Sequence, residues 1–274
     1  MTSAAVDAFC EGCGDEWVAQ TVRECHEGGG HTLGHMTWSL NKAGRYKAPL
    51  LVGALSLFPG LRELRLGCLA MTSGDAAHLA RCLEGVPRLE VLDISSNYIG
   101  PEGALSLAGA LSHVPLLTEL TLCVNTISDD GTLAIASDLL HVPRLKSLNL
   151  GSNDISDVGL TGLADALGHV PRLTRIWLHD NDITAVGVGH LVDRLPAELS
   201  LLVLSGNPIG RRGGAFLGNA IPQLPMLDVL SLDDCGMGRS LCKAMETVMG
   251  ASSEERGQMV AELLTLIQDE GLDA

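Results

Sequence analysis

A leucine-anchored segment of 28 residues recurs down the chain, and no other feature restricts the fold as tightly. Aligned on L-x-x-L-x-L-x-x-N-x-I, its units start at Leu33, Leu61, Leu89, Leu117, Leu145, Leu173, Leu199 and Leu227; one spacing, Leu173 to Leu199, is 26 residues. A period of this size marks a stacked array, in which no unit buries its apolar face alone and neighbours complete one continuous core. The 274 residues are therefore read as one solenoid, although a generic chain of that length could hold two domains.

Each unit begins with apolar alternation, as at Leu89, Leu92 and Ile94, which suits a short strand with one buried face. It then changes to helical spacing, as at Leu105, Leu107, Ala108 and Leu111. Helix starts are expected at Ser128 with Asp129 and Asp130, at Ser156 with Asp157, and at Thr184, where side chains can accept from unpaired N–H groups. Helix ends are expected near Pro87, Pro115, Pro143, Pro171 and Pro225. The ninth position holds Asn41, Asn97, Asn125, Asn153, Asn181 and Asn207, with Leu69 and Cys235 breaking the row. An amide there can bond backbone groups of the turns on either side, so the asparagines are read as a structural ladder rather than a binding site.

The segments LEVLDISSNYI, LTELTLCVNTI, LKSLNLGSNDI, LTRIWLHDNDI and LSLLVLSGNPI resemble leucine-rich repeats of the long, helix-bearing kind found in ribonuclease inhibitor, and the resemblance runs over about residues 33 to 249. It implies an α/β fold: a right-handed leucine-rich repeat solenoid, a horseshoe arc with a parallel concave sheet, outer helices and helical caps. The expected division is an N-terminal cap at 1–32, eight repeats at 33–249 and a C-terminal capping helix at 250–274. In the first cap Trp17, Val18, Val22 and Cys25 would lie against the first repeat; in the last, Ser252 and Glu255 form a capping-box pattern ahead of Met259, Leu263, Leu266 and Ile267. The resemblance also implies recognition of another protein on the concave face. Its relatives add two alternatives, a regulator of a partner enzyme such as a GTPase activator, and a ligand-sensing module.

A formal net charge of -15 opposes binding to nucleic acid or anionic membranes and favours a protein partner with a basic surface. No apolar run reaches membrane-spanning length and no export signal opens the chain, so a cytoplasmic monomer is expected. The eight cysteines are scattered through core-like positions, as befits reduced thiols. Cys10, Cys13, Cys25 and His26 could assemble a zinc set, but a single C-x-x-C is better read as cap cysteines, so neither metal nor cofactor is expected. No nucleophile elbow, phosphate loop or zinc-protease motif is present, and intrinsic catalysis is not expected.

Function should be written at the second, third, fifth, seventh and eighth positions of each unit, which the core does not need. With aromatics at only 3% of the chain, Trp177 at a fifth position stands out as a binding anchor. Arg175, His179, Asn149, Leu201 and Val203 should surround it, with Asp180, Asp233 and Asp234 as an acidic flank. These positions carry Arg62, Arg65, Lys146 and Arg175 against Glu63, Glu90, Asp93, Glu119, Asp180, Asp228, Asp233 and Asp234.

Overall fold

A computed structural model describes residues 3–27, 35–37, 52–250 and 253–269. His31, Leu33, Asn41 and Ser252 lie outside the described residues, as do the side chains of Trp17, Cys25 and His26. Eight short strands form one sheet in strict chain order with every pair parallel: β1 (His35–Thr37), β2 (Glu63–Arg65), β3 (Val91–Asp93), β4 (Glu119–Thr121), β5 (Ser147–Asn149), β6 (Arg175–Trp177), β7 (Leu201–Val203) and β8 (Val229–Ser231). Like positions pair: Leu92 with Leu120, Leu120 with Leu148, Leu148 with Ile176. A slip of one residue would turn this apolar row out to solvent, so the pattern sets the register.

Helices follow the strands: α1 (Ser3–Gly12) and α2 (Glu16–Glu27) before the sheet, then α3 (Ser73–Cys82), α4 (Gly100–Ala110), α5 (Ser128–Asp138), α6 (Asp157–Ala166), α7 (Ala185–Val192), α8 (Gly210–Ala220), α9 (Arg239–Gly250) and α10 (Ser253–Asp269). Paired strands sit about 4.8 Å apart, whereas packed helices need about 8–10 Å, so the sheet takes the inner side of the arc. Between the layers Leu89, Leu117, Leu145 and Leu173, with Ile99, Ile127, Ile155 and Ile183, are completely buried. Each such side chain contributes roughly 1.5–3 kcal/mol relative to exposure. Leu105, grouped with the core on its spacing, is instead 63% exposed, because the buried stripe of α4 is Gly103, Ala104, Leu107, Ala108 and Ala110.

The helices end as the prolines suggest, through an extra tight turn. Leu111–His113 is a 3-10 segment, after which the Val114 N–H donates to Leu111 O and the Leu117 N–H to Val114 O; Leu139–His141 and Leu167–His169 repeat the device. Pro115 follows it in solvent, where its missing N–H costs nothing. The short unit departs from this plan. Arg175 still pairs with Leu201 and Trp177 with Val203, and the two missing residues are absorbed by α7, eight residues long, which leaves through a plain turn.

The strand exits are held by the ladder. Asn97 Nδ2 donates to Leu66 O and Ile94 O, and its Oδ1 accepts from the Leu69 and Met71 N–H groups at 3.0 and 2.9 Å. Asn153 and Asn181 repeat the scheme, and Asn207 accepts from the Ile183 N–H. Cys235 keeps part of it, its thiol donating to Leu204 O at 3.2 Å. Asn125 Oδ1 is buried without a partner, because the Asn97 N–H that would reach it turns to Val124 O.

Candidate functional site: the concave face around Trp177

Among the described residues two kinds of turn carry the strands from β2 to β7 over to their helices, and the twelfth residue decides between them. Thr72, Ser156 and Thr184 are extended and cap their helices, with Ser156 Oγ accepting from the Val158 N–H and Thr184 Oγ1 from the Val186 N–H. Ser128 was expected to do the same and does not: its φ is 55°, Ile127 takes the capping position, and no side-chain cap forms. In that left-handed conformation the Ser128 N–H donates to Asn153 O, as those of Gly100 and Gly210 donate to Asn125 O and Cys235 O. The next residue then serves the following unit. Asp129 accepts from the Ser156 N–H and hydroxyl and the Gly159 N–H at 2.8, 2.6 and 2.9 Å, and Asp157 accepts the same three bonds from Thr184 and Gly187.

On the concave face the register places Asn149, Trp177 and Val203 in one row and Arg175, Leu201 and Val229 in the next. Trp177, Leu201 and Val203 are half-buried and Val229 is 46% exposed, so they present one apolar patch spread over three strands. Val229 was not singled out in the sequence, although it shares its repeat position with Leu201. Arg175 reaches over the buried Ser147 of β5 to Glu119 on β4 at 2.8 Å, and its guanidinium lies 5.9 Å from the centre of the Trp177 ring. An ion pair on one side and the ring on the other hold the arginine flat beside the patch.

The remaining residues divide. Asn149 Oδ1 accepts from the Gly151 N–H at 3.1 Å and so serves its own turn. The His179 imidazole lies on Gly151, where an added Cβ would come within 2.2 Å of the ring, and its Nδ1 has no hydrogen-bond partner. Asp180 is exposed, with a carboxylate oxygen over Gly206 at 2.1 Å from where a Cβ would stand. Asp233 and Asp234 are exposed where the chain leaves β8, two strands from Trp177, and Ser231 Oγ donates to Asp233 at 3.3 Å. The structure thus brings Arg175, Trp177, Leu201 and Val203 together and sets the aspartates at their rim.

The face's cations are largely consumed internally. Arg62 pairs with Glu90, Arg65 with Glu63 and Arg175 with Glu119. Among the carboxylates without such a partner, Asp180, Asp228, Asp233 and Asp234 gather toward β8, which gives that end its negative field. Cys10 is buried and its Sγ donates to Ala19 O at 3.3 Å, while that of Cys13 donates to Cys10 O and Asp15 O. Burial pushes the Cys10 thiol up from its ordinary value. Among the described residues no group of three or more His, Cys, Asp or Glu is gathered as a metal set.

The family model described as leucine-rich repeat matches residues 88–108 and 143–164, the strand-to-helix parts of two of these units. Those two units are leucine-rich repeats by this match. The chain is 42% identical over 86 residues to a Tonsoku-like protein of Bos taurus, a match covering 31% of this chain and 6% of that protein. The chain therefore spans only a small part of that relative's length. Among solved structures, actin-binding site 2 of leiomodin-1 aligns with a TM-score of 0.44 and 20% identity over 49% of this chain and 79% of that one. The tropomodulin C-terminal domain of Caenorhabditis elegans aligns with a TM-score of 0.42 and 14% identity over 61% and 94%.

Proposed function

We propose that this leucine-rich repeat protein is an interaction scaffold that takes another protein on its concave face, with Trp177 as the anchor. The observation that carries this reading is the patch of Trp177, Leu201, Val203 and Val229, partly open to solvent on paired strands, with Arg175 fixed beside it. Aromatic and arginine side chains on a rigid base lose little freedom on docking, which is why they dominate binding energy at interfaces. Asp180, Asp228, Asp233 and Asp234 border the patch and steer a partner with a basic rim around an apolar centre. The free thiols of Cys10, Cys68, Cys123 and Cys235 fit a reducing, cytoplasmic setting.

Affinity capture from a native extract tests the reading, comparing the intact protein with Trp177→Ala and with Asp233→Lys and identifying retained proteins by mass spectrometry. A basic partner retained by the intact protein is expected to bind Trp177→Ala more weakly by about 2 kcal/mol. The same proteins retained equally by all three chains would reject the concave face as the site.

A further inference from the structure

β8, the last strand among the described residues, leaves half of a ladder unmade. Toward β7 the bonding is complete: the Asp228 and Val229 N–H groups donate to Ser200 O at 2.9 and 3.0 Å, and the Leu204 and Gly206 N–H groups donate to Ser231 O and Asp233 O at 2.9 and 2.8 Å. Alternation along a parallel strand turns the other set outward, namely the Asp228 carbonyl, both backbone groups of Leu230 and the Leu232 N–H. No ninth strand follows among the described residues.

The apolar layer is interrupted at the same edge. Leu92, Leu120, Leu148, Ile176 and Leu202 are at most 2% exposed, whereas Leu230, at the same repeat position, is only half-buried. Leu232 differs in the same way from the completely buried Leu178 and Leu204. Helix α9 does not close the gap: an open groove of about 820 Å³ remains, lined by Leu230, Leu232, Met237, Cys242, Lys243 and Met245, where the carboxylates of Asp233 and Asp234 outnumber the one ammonium.

We propose that this edge is a strand-addition site for an extended, basic segment of a partner protein. The segment pairs with β8 as a ninth parallel strand, which gives main-chain bonds to Leu230 and Leu232 and sets alternate apolar side chains into the groove. Parallel pairing carries its C-terminal end to Asp233 and Asp234, where lysine or arginine completes the match. Charge decides against the other occupants. Residues 270–274 of this chain, EGLDA, would bring two more carboxylates to that rim. A second copy paired β8 to β8 runs antiparallel and sets Asp233 and Asp234 near the Asp228 of the other copy. The site shares Asp233 and Asp234 with the rim of the Trp177 patch but does not use Trp177, and it stands whether or not that patch binds.

The probe is a synthetic peptide of about twelve residues, alternating isoleucine and threonine and ending in two lysines, titrated by fluorescence anisotropy with amide exchange followed by NMR. We expect slower exchange at Leu230 and Leu232 on binding. We also expect about tenfold or greater weakening both for the same peptide N-methylated at alternate residues and for Asp233→Lys/Asp234→Lys, with no change for Trp177→Ala. Equal binding of the N-methylated peptide overturns the proposal. So does protection confined to residues 175–203 and lost in Trp177→Ala, which assigns the peptide to the concave patch. Leu230 and Leu232 amides already protected in the protein alone, and released by removing residues 270–274 or by dilution from dimer to monomer, assign the edge to the tail or to a second copy and equally overturn it.

Discussion

From β3 to β7 one amide at each strand exit does the work of a cross-link. Asn153 accepts from the Asn125 and Ile127 N–H groups at 2.9 and 3.4 Å and donates to Leu122 O and Gly151 O, all of them removed from water. Asn153→Ala should therefore cost about 2–4 kcal/mol, through backbone groups left unpaired, and urea unfolding will read it as a lower midpoint. The ladder was legible because a polar residue recurring between buried positions has to satisfy something. The solitary Asn125 oxygen was not legible, since it depends on which way the neighbouring Asn97 N–H turns. His179, expected beside Trp177, lies on its neighbour's backbone, which only the missing Cβ of Gly151 permits.

The helices hold one another by their first turns. Asp129 is an acceptor for the start of α6 and Asp157 for the start of α7, so these two helices are each capped partly by the unit before. Asp129→Ala should lower stability by about 1–2 kcal/mol, while the exposed Asp130→Ala should leave the thermal midpoint unchanged. A glycine at the fifteenth position, in Gly103, Gly131, Gly159, Gly187 and Gly213, lets the layers approach this closely. A Cβ on Gly159 would come within 2.6 Å of Asp129 Oδ1, so Gly159→Ala should cost about 1–3 kcal/mol. Because the two substitutions damage one contact, their double variant should lose less than the sum, as paired denaturation curves will show. Sequence patterning treated Ser128, Asp129 and Asp130 as a local start signal; it did not reveal that the aspartate acts on the next unit, a relation visible only once the units are stacked.

Across the whole molecule the core is a series of like layers, and its titration behaviour follows from their dryness. Burial pushes the thiols of Cys10, Cys82, Cys123 and Cys235 above the ordinary value of 9.0. A raised folded-state value means that the neutral thiol is favoured by folding; this stability is fully present below the unfolded value and is lost as pH climbs through the folded one. Thermal melts should therefore hold steady from about pH 7 to 8.5 and fall above about pH 9, and Cys123→Ser/Cys235→Ser should flatten that fall. The stack itself was readable from the period alone, since strand, helix and stop signals recur together. The open edge at β8 was not, because Leu230 carries the same residue type as most of its buried counterparts and differs in having no further strand beside it among the described residues.

The shortened unit between β6 and β7 shows how such a molecule can change over generations. Two residues are missing there, yet Trp177 still meets Val203, because the loss falls on the outer helix and the turn after it. The deletion is thus absorbed on the outer side of the wall while the strand register on the inner side is kept. A lineage can lengthen or trim its back and keep every letter on its face in line.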